Sequence, residues 1–254
     1  LVHAVATKKV GRVLIIAPTR ELADQINAEL KIFKEHLGIY STLCIGGLNI
    51  VPQMRELRRT PQFVIGTPGR LKDLERSQAI NFNSFGAIVL DEVDTMLDMG
   101  FIHDIKYIIS KLPQERHSLF FSATISPAIR DIAKIFLKNP ITVSVKTRQS
   151  AQNVNQDVVK VNQDNKIEVL HDLLIKPDLK KTIIFLRTKR AADKLSKKLY
   201  ERGFKVSTIH GNKTQAQRKK ALALFKDDKV AVLLATDVVA RGIDIDNVSH
   251  VINF

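Results

Sequence analysis

Short apolar runs alternate with amphipathic segments along almost the whole chain, and this alternation narrows the fold more than any other feature. Val13-Leu-Ile-Ile-Ala17 is apolar throughout, as a strand buried on both faces must be. Residues 20–36 then place Leu22, Ala23, Ile26, Leu30 and Phe33 at helical spacing. Apolar runs at 42–45, 63–65, 87–90, 118–121 and 141–145 continue the strand series, with helical patterns between them. The rhythm restarts past residue 155: a helix over 166–175, a strand over 182–186, a basic helix over 189–200, a strand over 206–209, a helix over 214–225 and a strand over 230–235. A further strand is expected at Val251-Ile-Asn-Phe254. Strands alternating with helices predict α/β architecture on parallel sheets. The polar, aperiodic stretch at 146–156 predicts a linker between one domain over 1–145 and another over 157–254.

Bulk properties remove several classes of function. No apolar run approaches the roughly 20 residues of a membrane span, and residues 1–10 have no signal-peptide pattern. A single cysteine, Cys44, rules out an internal disulfide framework and fits a reducing compartment; in Thr42-Leu-Cys-Ile45 it reads as a small buried hydrophobe. Net charge is +14. Residues 1–145 carry 18 basic and 14 acidic groups, whereas 146–254 carry 22 and 12, so the excess sits mainly in the second half. Such a balance suggests a polyanionic partner, although surface lysines also serve solubility alone.

Ligands of open parallel sheets bind beyond the carboxyl ends of the strands. The residues that follow each apolar run are therefore the ones to read. In order they are Pro18-Thr-Arg-Glu-Leu-Ala23, Gly46-Gly47, Thr67-Pro-Gly-Arg70, Asp91-Glu-Val-Asp94, Ser122-Ala-Thr124, His210-Gly211, and Thr236-Asp237 with Arg241-Gly-Ile-Asp244. Thr67-Pro-Gly-Arg70 reads equally as a capped helix start and as exposed N–H groups that hold a phosphate with Arg70. Pro18-Thr-Arg20 offers the same pair of readings, and Ser122-Ala-Thr124 fits a strand end leading into a helix at Pro127. Asp91-Glu92-Val93-Asp94 is harder to treat as structural, because a helix cap needs one carboxylate and this turn has three. Carboxylates at the end of a buried strand suit a magnesium ion carried by a nucleoside triphosphate, and so point to phosphoryl chemistry.

Taken together, the ordered set resembles the DEAD-box RNA helicases of superfamily 2, which have two RecA-like domains, and the resemblance covers essentially the whole chain. Pro18 to Ala23 is similar to motif Ia, Gly46-Gly47 to the glycine doublet, Thr67 to Arg70 to motif Ib, Asp91 to Asp94 to motif II and Ser122 to Thr124 to motif III. Ile183 to Thr188 resembles motif IV, Gln215-Ala-Gln-Arg218 the Gln-x-x-Arg element, and Ala235 to Asp244 motif V. The resemblance implies that ATP and Mg²⁺ are the cofactors and RNA the partner. Asp91 would hold Mg²⁺ through water and Glu92 would orient or deprotonate the attacking water. Asp94, Ser122 and Thr124 would couple the nucleotide to domain closure, with Gly242 and Asp244 approaching the nucleotide from the second domain. Thr19, Arg20, Gly47, Thr67, Gly69, Arg70, Arg187, Gly211, Gln215, Arg218 and Thr236 would track the sugar–phosphate backbone. A monomer in the cytoplasm, or in a nucleus, is the implied setting.

The sequence departs from the family pattern in four places. Val93 stands where the family name has alanine, which is a matter of packing. No Gly-rich phosphate loop with Lys and Ser/Thr occurs in the 254 residues, nor the adenine-reading glutamine element, nor the arginine-rich motif VI. The chain starts with Leu and stops inside an expected strand, so it reads as a fragment that hydrolyses ATP negligibly by itself. Two rival readings stay open: a DNA helicase of the same superfamily, and a clamp that binds RNA without hydrolysis.

Overall fold

The computed structural model describes residues 1–145, 154–162, 165–236 and 245–254. The described residues form two compact units, one holding Leu1–Lys138 and the other the residues from Asn139 to Phe254. Most of the expected 146–156 linker lies outside the described residues.

In unit one, Val13–Ile16 (β1), Ser41–Cys44 (β2), Phe63–Gly66 (β3), Ala87–Leu90 (β4) and His117–Phe120 (β5) form a parallel sheet in the order β2-β3-β1-β4-β5. Its helices are Val2–Ala6 (α1), Arg20–Phe33 (α2), Ile50–Leu57 (α3), Pro68–Arg76 (α4), Val93–Asp98 (α5), Ile102–Ser110 (α6) and Pro127–Phe136 (α7). The crossover from β1 to β2 runs one way across the sheet, and every later crossover runs the other way. Right-handed crossovers then put α2 on one face and the later helices on the opposite face. The burial follows this division. Val13, Ile15, Ile65 and Val89 meet Ala23 and Leu30 of α2, while Leu14, Ile16, Val64, Ile88 and Leu90 meet Leu57, Leu71, Leu74, Ile105, Ile108 and Phe136. Because both faces are covered, β1, β3 and β4 are buried at every position, which is why they read as unbroken apolar runs. Cys44, at the end of β2, is fully buried, and desolvation pushes its thiol pKa up to about 12.

In unit two, Thr182–Leu186 (β6), Val206–Ile209 (β7), Val232–Thr236 (β8) and His250–Asn253 (β9) form a second parallel sheet, ordered β7-β8-β6-β9. Lys166–Leu174 (α8), Lys189–Glu201 (α9) and Gln215–Lys226 (α10) accompany it. Leu170, Ile184, Leu186, Leu195, Leu199, Val232 and Leu234 form its core. Two parallel α/β sheets are the architecture that the alternation predicted.

Three local expectations need correction. The helix expected over 20–36 stops at Phe33, because His36 and Gly38 adopt left-handed backbone angles (φ 63° and 64°) that end helical bonding. The strand expected from Val230 starts at Val232, because the Lys229 and Val230 N–H groups donate to Leu224 O and close α10. No strand forms at 141–145, where Ile141 is 93% and Val145 81% exposed. Alternating apolar residues suit a strand, but a strand also needs a partner for its N–H and C=O groups, and none among the described residues lies beside this segment.

Strand register sets where the site lies. Ile16 pairs with both Gly66 and Leu90, Cys44 with Gly66, and Leu90 with Phe120. The carboxyl ends of all five strands therefore lie level. In unit two, Phe185 pairs with Ala235 and Asn253, and Ile209 with Ala235, giving the same flush edge.

Candidate functional site

The cationic part of the unit-one edge is built from the turns after β1, β2 and β3. Thr19 caps α2 by accepting the Leu22 N–H at 3.2 Å, which starts the helix so that Arg20 reaches over the turn after β2. Gly47 there has φ +75°, and a β-carbon on it would overlap the Arg20 guanidinium. Conformation therefore favours glycine at this position, and a β-carbon there would push the Arg20 guanidinium off the turn. Arg70, on the first turn of α4, donates from Nη2 to Leu48 O at 2.9 Å. Its Nη1 is buried with no hydrogen-bond partner among the described residues. Desolvation lowers the Arg70 pKa, and the nearby Arg20 lowers it further. Two guanidinium groups sharing one turn, with a buried donor unmet, form a site ready for an anion. Thr67 precedes α4 with Pro68 in the first turn, but its side chain makes no capping bond, so the capping role considered from sequence is not the one it plays. Space beside Gly69 is open.

The acidic part follows β4 and β5. Asp91 N–H donates to Ile16 O at 3.0 Å, which continues the sheet by one bond past β4. Glu92 then takes a left-handed conformation, φ 48° and ψ 55°, which an L residue holds at a cost of about 1–2 kcal/mol. That turn brings the three carboxylates to the edge. Asp91 Oδ1 accepts the Glu92 N–H at 3.0 Å. Burial raises the Asp91 pKa, opposed by that bond. Burial also raises the Glu92 pKa, a bond from Thr95 opposes it, and the charges of Asp91 and Asp94 add to it. Asp94 does different work. Its Oδ2 accepts both the Thr124 N–H at 3.0 Å and the Thr124 hydroxyl at 3.1 Å, while Oδ1 accepts the Thr95 N–H. Ser122 donates its hydroxyl to Thr124 O at 2.8 Å, and Val93 N–H donates to Phe121 O. The turns after β4 and β5 are thus joined through Asp94. The helix at Pro127 is capped by Ser126 and not by Thr124.

A scan against protein-family models matches residues 1–132 to "DEAD/DEAH box helicase" and 165–254 to "Helicase conserved C-terminal domain". The chain belongs to the DEAD/DEAH box helicase family. Among curated proteins it is similar to the ATP-dependent RNA helicase CshA of Listeria monocytogenes, 41% identical over all of this chain and 49% of the relative. It is also 42% identical to the DEAD-box ATP-dependent RNA helicase CshA of Bacillus subtilis, over 95% of this chain and 49% of that protein. The chain thus spans about half the length of the curated relatives it matches. Among solved structures, S. cerevisiae Dbp5 L327V bound to RNA and ADP BeF3 aligns with a TM-score of 0.77 at 31% identity, over 95% of this chain and 62% of that one. A DEAD box protein from Methanococcus jannaschii aligns at 0.51 and 35% identity, over 95% and 65%.

The carboxyl-end edge of unit two carries the other expected residues that are described. Arg187 is exposed at the end of β6, and Thr236 ends β8. Gly211 has open space beside it in the turn after β7. Gln215 and Arg218, on the first turn of α10, are buried. Gly242 and Asp244 lie outside the described residues.

Several contacts that shape these edges carry no signal in the sequence. Gln53 of α3 donates from Nε2 to Ile45 O at 3.1 Å and to Asn49 O at 3.3 Å, which braces the glycine turn from beneath. A β-carbon on Gly66 would lie 2.6 Å from Cys44 O and 2.8 Å from Leu71 Cδ2. His210, 1% exposed, lies 3.0 Å through Nε2 from Asp193 Oδ1, and Lys189 donates to Asn212 Oδ1 at 2.8 Å. Only the i, i+4 spacing of Lys189 and Asp193 could have suggested a shared task, since it puts both on one face of α9.

Proposed function

We propose that the protein carrying this chain is an ATP-dependent RNA helicase of the DEAD-box type, which grips the RNA backbone and separates short duplexes locally as ATP drives its two domains together. The observation that carries this reading is the hydrogen bonding of Asp94 to Thr124, on the same flush edge where Arg20 and Arg70 converge. The turn assigned to the nucleotide and the turn assigned to the nucleic acid are then parts of one sheet edge. The relatives named above, described as RNA helicases and in one structure bound to RNA, support the same assignment.

The edge residues fit a magnesium ion brought by the nucleotide. Among the described residues no three His, Cys, Asp or Glu side chains gather into a metal cage. Mg²⁺ on a triphosphate needs only one or two carboxylates, because it keeps several waters. Asp91 would hold the ion through water, and when bound the ion neutralises charge on the phosphates. Glu92, with its pKa raised, is suited to orient and deprotonate a water. Asp94, Ser122 and Thr124 transmit the state of that site along the edge. Thr19, Arg20, Gly47, Thr67, Gly69 and Arg70 take RNA phosphates and sugars in unit one, and Arg187, Gly211, Gln215, Arg218 and Thr236 do so in unit two. Gly242 and Asp244 are assigned to the nucleotide by their motif alone. Contacts of this kind give affinity without reading sequence.

The 254 residues contain no Gly-Lys-Ser/Thr phosphate loop, so this chain by itself is expected to bind RNA but hydrolyse ATP negligibly. RNA-stimulated ATPase is measured on this chain and on the protein encoded by its uninterrupted reading frame. Parent-like hydrolysis by the 254-residue chain refutes the second half of the proposal; absence of RNA-stimulated hydrolysis in the whole protein refutes the first and favours a non-hydrolysing clamp. Competition of labelled RNA by DNA of equal sequence tests the DNA-helicase alternative. If roughly 6–10 phosphates are contacted, affinity falls by about 10³–10⁵ between 50 and 200 mM salt.

A further inference from the structure

The turn between β7 and α10, residues 210–214, is tied to α9 by a compact polar network. Asp193 Oδ1 lies 3.0 Å from His210 Nε2 and accepts from Lys213 Nζ at 2.9 Å. The Asn212 N–H donates to His210 Nδ1 at 3.3 Å, so Nδ1 keeps its lone pair and Nε2 carries the proton that faces Asp193. Lys189, one turn before Asp193 on α9, holds Asn212 through its side-chain amide oxygen at 2.8 Å. One carboxylate therefore fixes both ends of the segment that contains Gly211, through a buried imidazole at one end and a lysine at the other. Burial works against ionised Asp193, but bonds from His210 and Lys213 outweigh it and hold its pKa below the usual carboxylate range.

The geometry points to Asp193 as a positioning residue for RNA binding: it sets the His210–Lys213 turn so that Gly211 and the free donors of Lys213 and Lys189 face the backbone at the strand-end edge. This rests on the RNA-binding reading above. A lysine ammonium has three donors, and one bond to the protein aims the others.

The sign of one substitution separates positioning from plain electrostatics. Asp193→Ala raises the net charge by one at an edge that binds a polyanion, so bulk electrostatics alone tightens binding. Positioning demands the reverse. The measurement is the Kd of the full chain for a labelled single-stranded oligoribonucleotide at fixed salt, below the unfolding temperature of each variant. Asp193→Ala is expected to weaken binding by about tenfold and to remove the hydrogen-bonded Nε2–H resonance of His210 from the proton NMR spectrum. Asp193→Glu, which keeps the carboxylate, recovers part of the affinity. Asp193→Asn keeps an acceptor for His210 but loses the lysine pair, falls between the two, and decides the matter if the Ala variant does not fold. Equal or tighter binding by the folded Ala or Asn variant overturns the inference and leaves the functional reading standing. Failure of the unsubstituted chain to bind the oligoribonucleotide overturns both.

Discussion

The two units repeat one wiring diagram and place different chemistry on it. In each, the first strand is followed by a crossover to the far edge, a return to its side, and a jump across it: β2-β3-β1-β4 in unit one and β7-β8-β6-β9 in unit two. Position follows position. Thr19 and Thr188 cap the first crossover helix by accepting an N–H three residues on. Arg20 and Lys189 follow them, and each reaches to the turn after the next strand, at Gly47 and at Asn212. Asp91 N–H bonds to Ile16 O in one unit and Phe254 N–H to Phe185 O in the other. Where the first sheet sets a carboxylate, the second sets a phenyl ring. Buried Ile45 of unit one corresponds to buried His210 of unit two, and buried Gln53 to buried Arg218. The same loop is thus braced by a neutral amide in one unit and by a charged network in the other, which accords with the larger positive excess of the second half. The scaffold fixes where the edge is; the turns decide which charged and polar groups stand on it.

The comparison breaks most sharply at Glu92. Glu92→Gln should cut RNA-stimulated ATPase of the whole protein by about 10²–10⁴-fold with RNA affinity retained, as an ATPase titration beside a binding isotherm would show. If activity survives, the acidic edge of unit one is not the chemical half. Because burial raises the Glu92 pKa in the ion-free chain, its carboxylate there should take up a proton above the ordinary glutamate range, as a pH titration of the unloaded chain would show, with the ionised base lost as pH falls through it. The stability sign is opposite. A carboxylate whose pKa is raised on folding costs stability when ionised, and that cost fades as pH drops through the folded-state value.

Arg70 and Arg187 set up a smaller contrast. Arg70 is half-buried and pre-aimed by Leu48 O, whereas Arg187 is exposed. Arg70→Ala should weaken RNA binding by about 10–100-fold, uniformly across sequences, and Arg187→Ala by less. Equal losses would mean that aiming contributes nothing. Gly66 is matched in unit two by Ala235, which already carries a β-carbon. Gly66→Ala should cost about 1–3 kcal/mol in urea unfolding, because its new methyl meets Cys44 O. The smallest effects are expected at the paired caps: Thr19→Ala and Thr188→Ala should each cost about 1 kcal/mol, and unequal values would show where the repeat is not a repeat.

Much of this was legible in the chain. Strands buried on both faces advertise themselves, so β1, β3 and β4 are located by their unbroken apolar runs, and turns that follow such runs must sit on one edge. The failure at 141–145 has the same root, since apolar alternation reports a tendency to pair but says nothing of whether a partner strand is beside it. Arg20 and Arg70 could be named from their turns; that they converge on the turn at 46–48 could not, because that turn is braced by Gln53, which no local pattern marks. Asp193 and His210 are 17 residues apart and meet only because α9 doubles back along β7. The left-handed Glu92 was equally hidden, as glutamate has no preference that signals it.

Cys44 has a practical consequence. Its thiol is enclosed at the end of β2 with a pKa of about 12, so it remains protonated and out of reach wherever the folded protein is handled. Maleimide dyes should therefore leave the native chain dark. A cysteine placed at an exposed site in each unit, away from both edges, would be the only pair to take donor and acceptor fluorophores. The molecule comes ready for single-molecule distance measurements without first having its own sulfur removed.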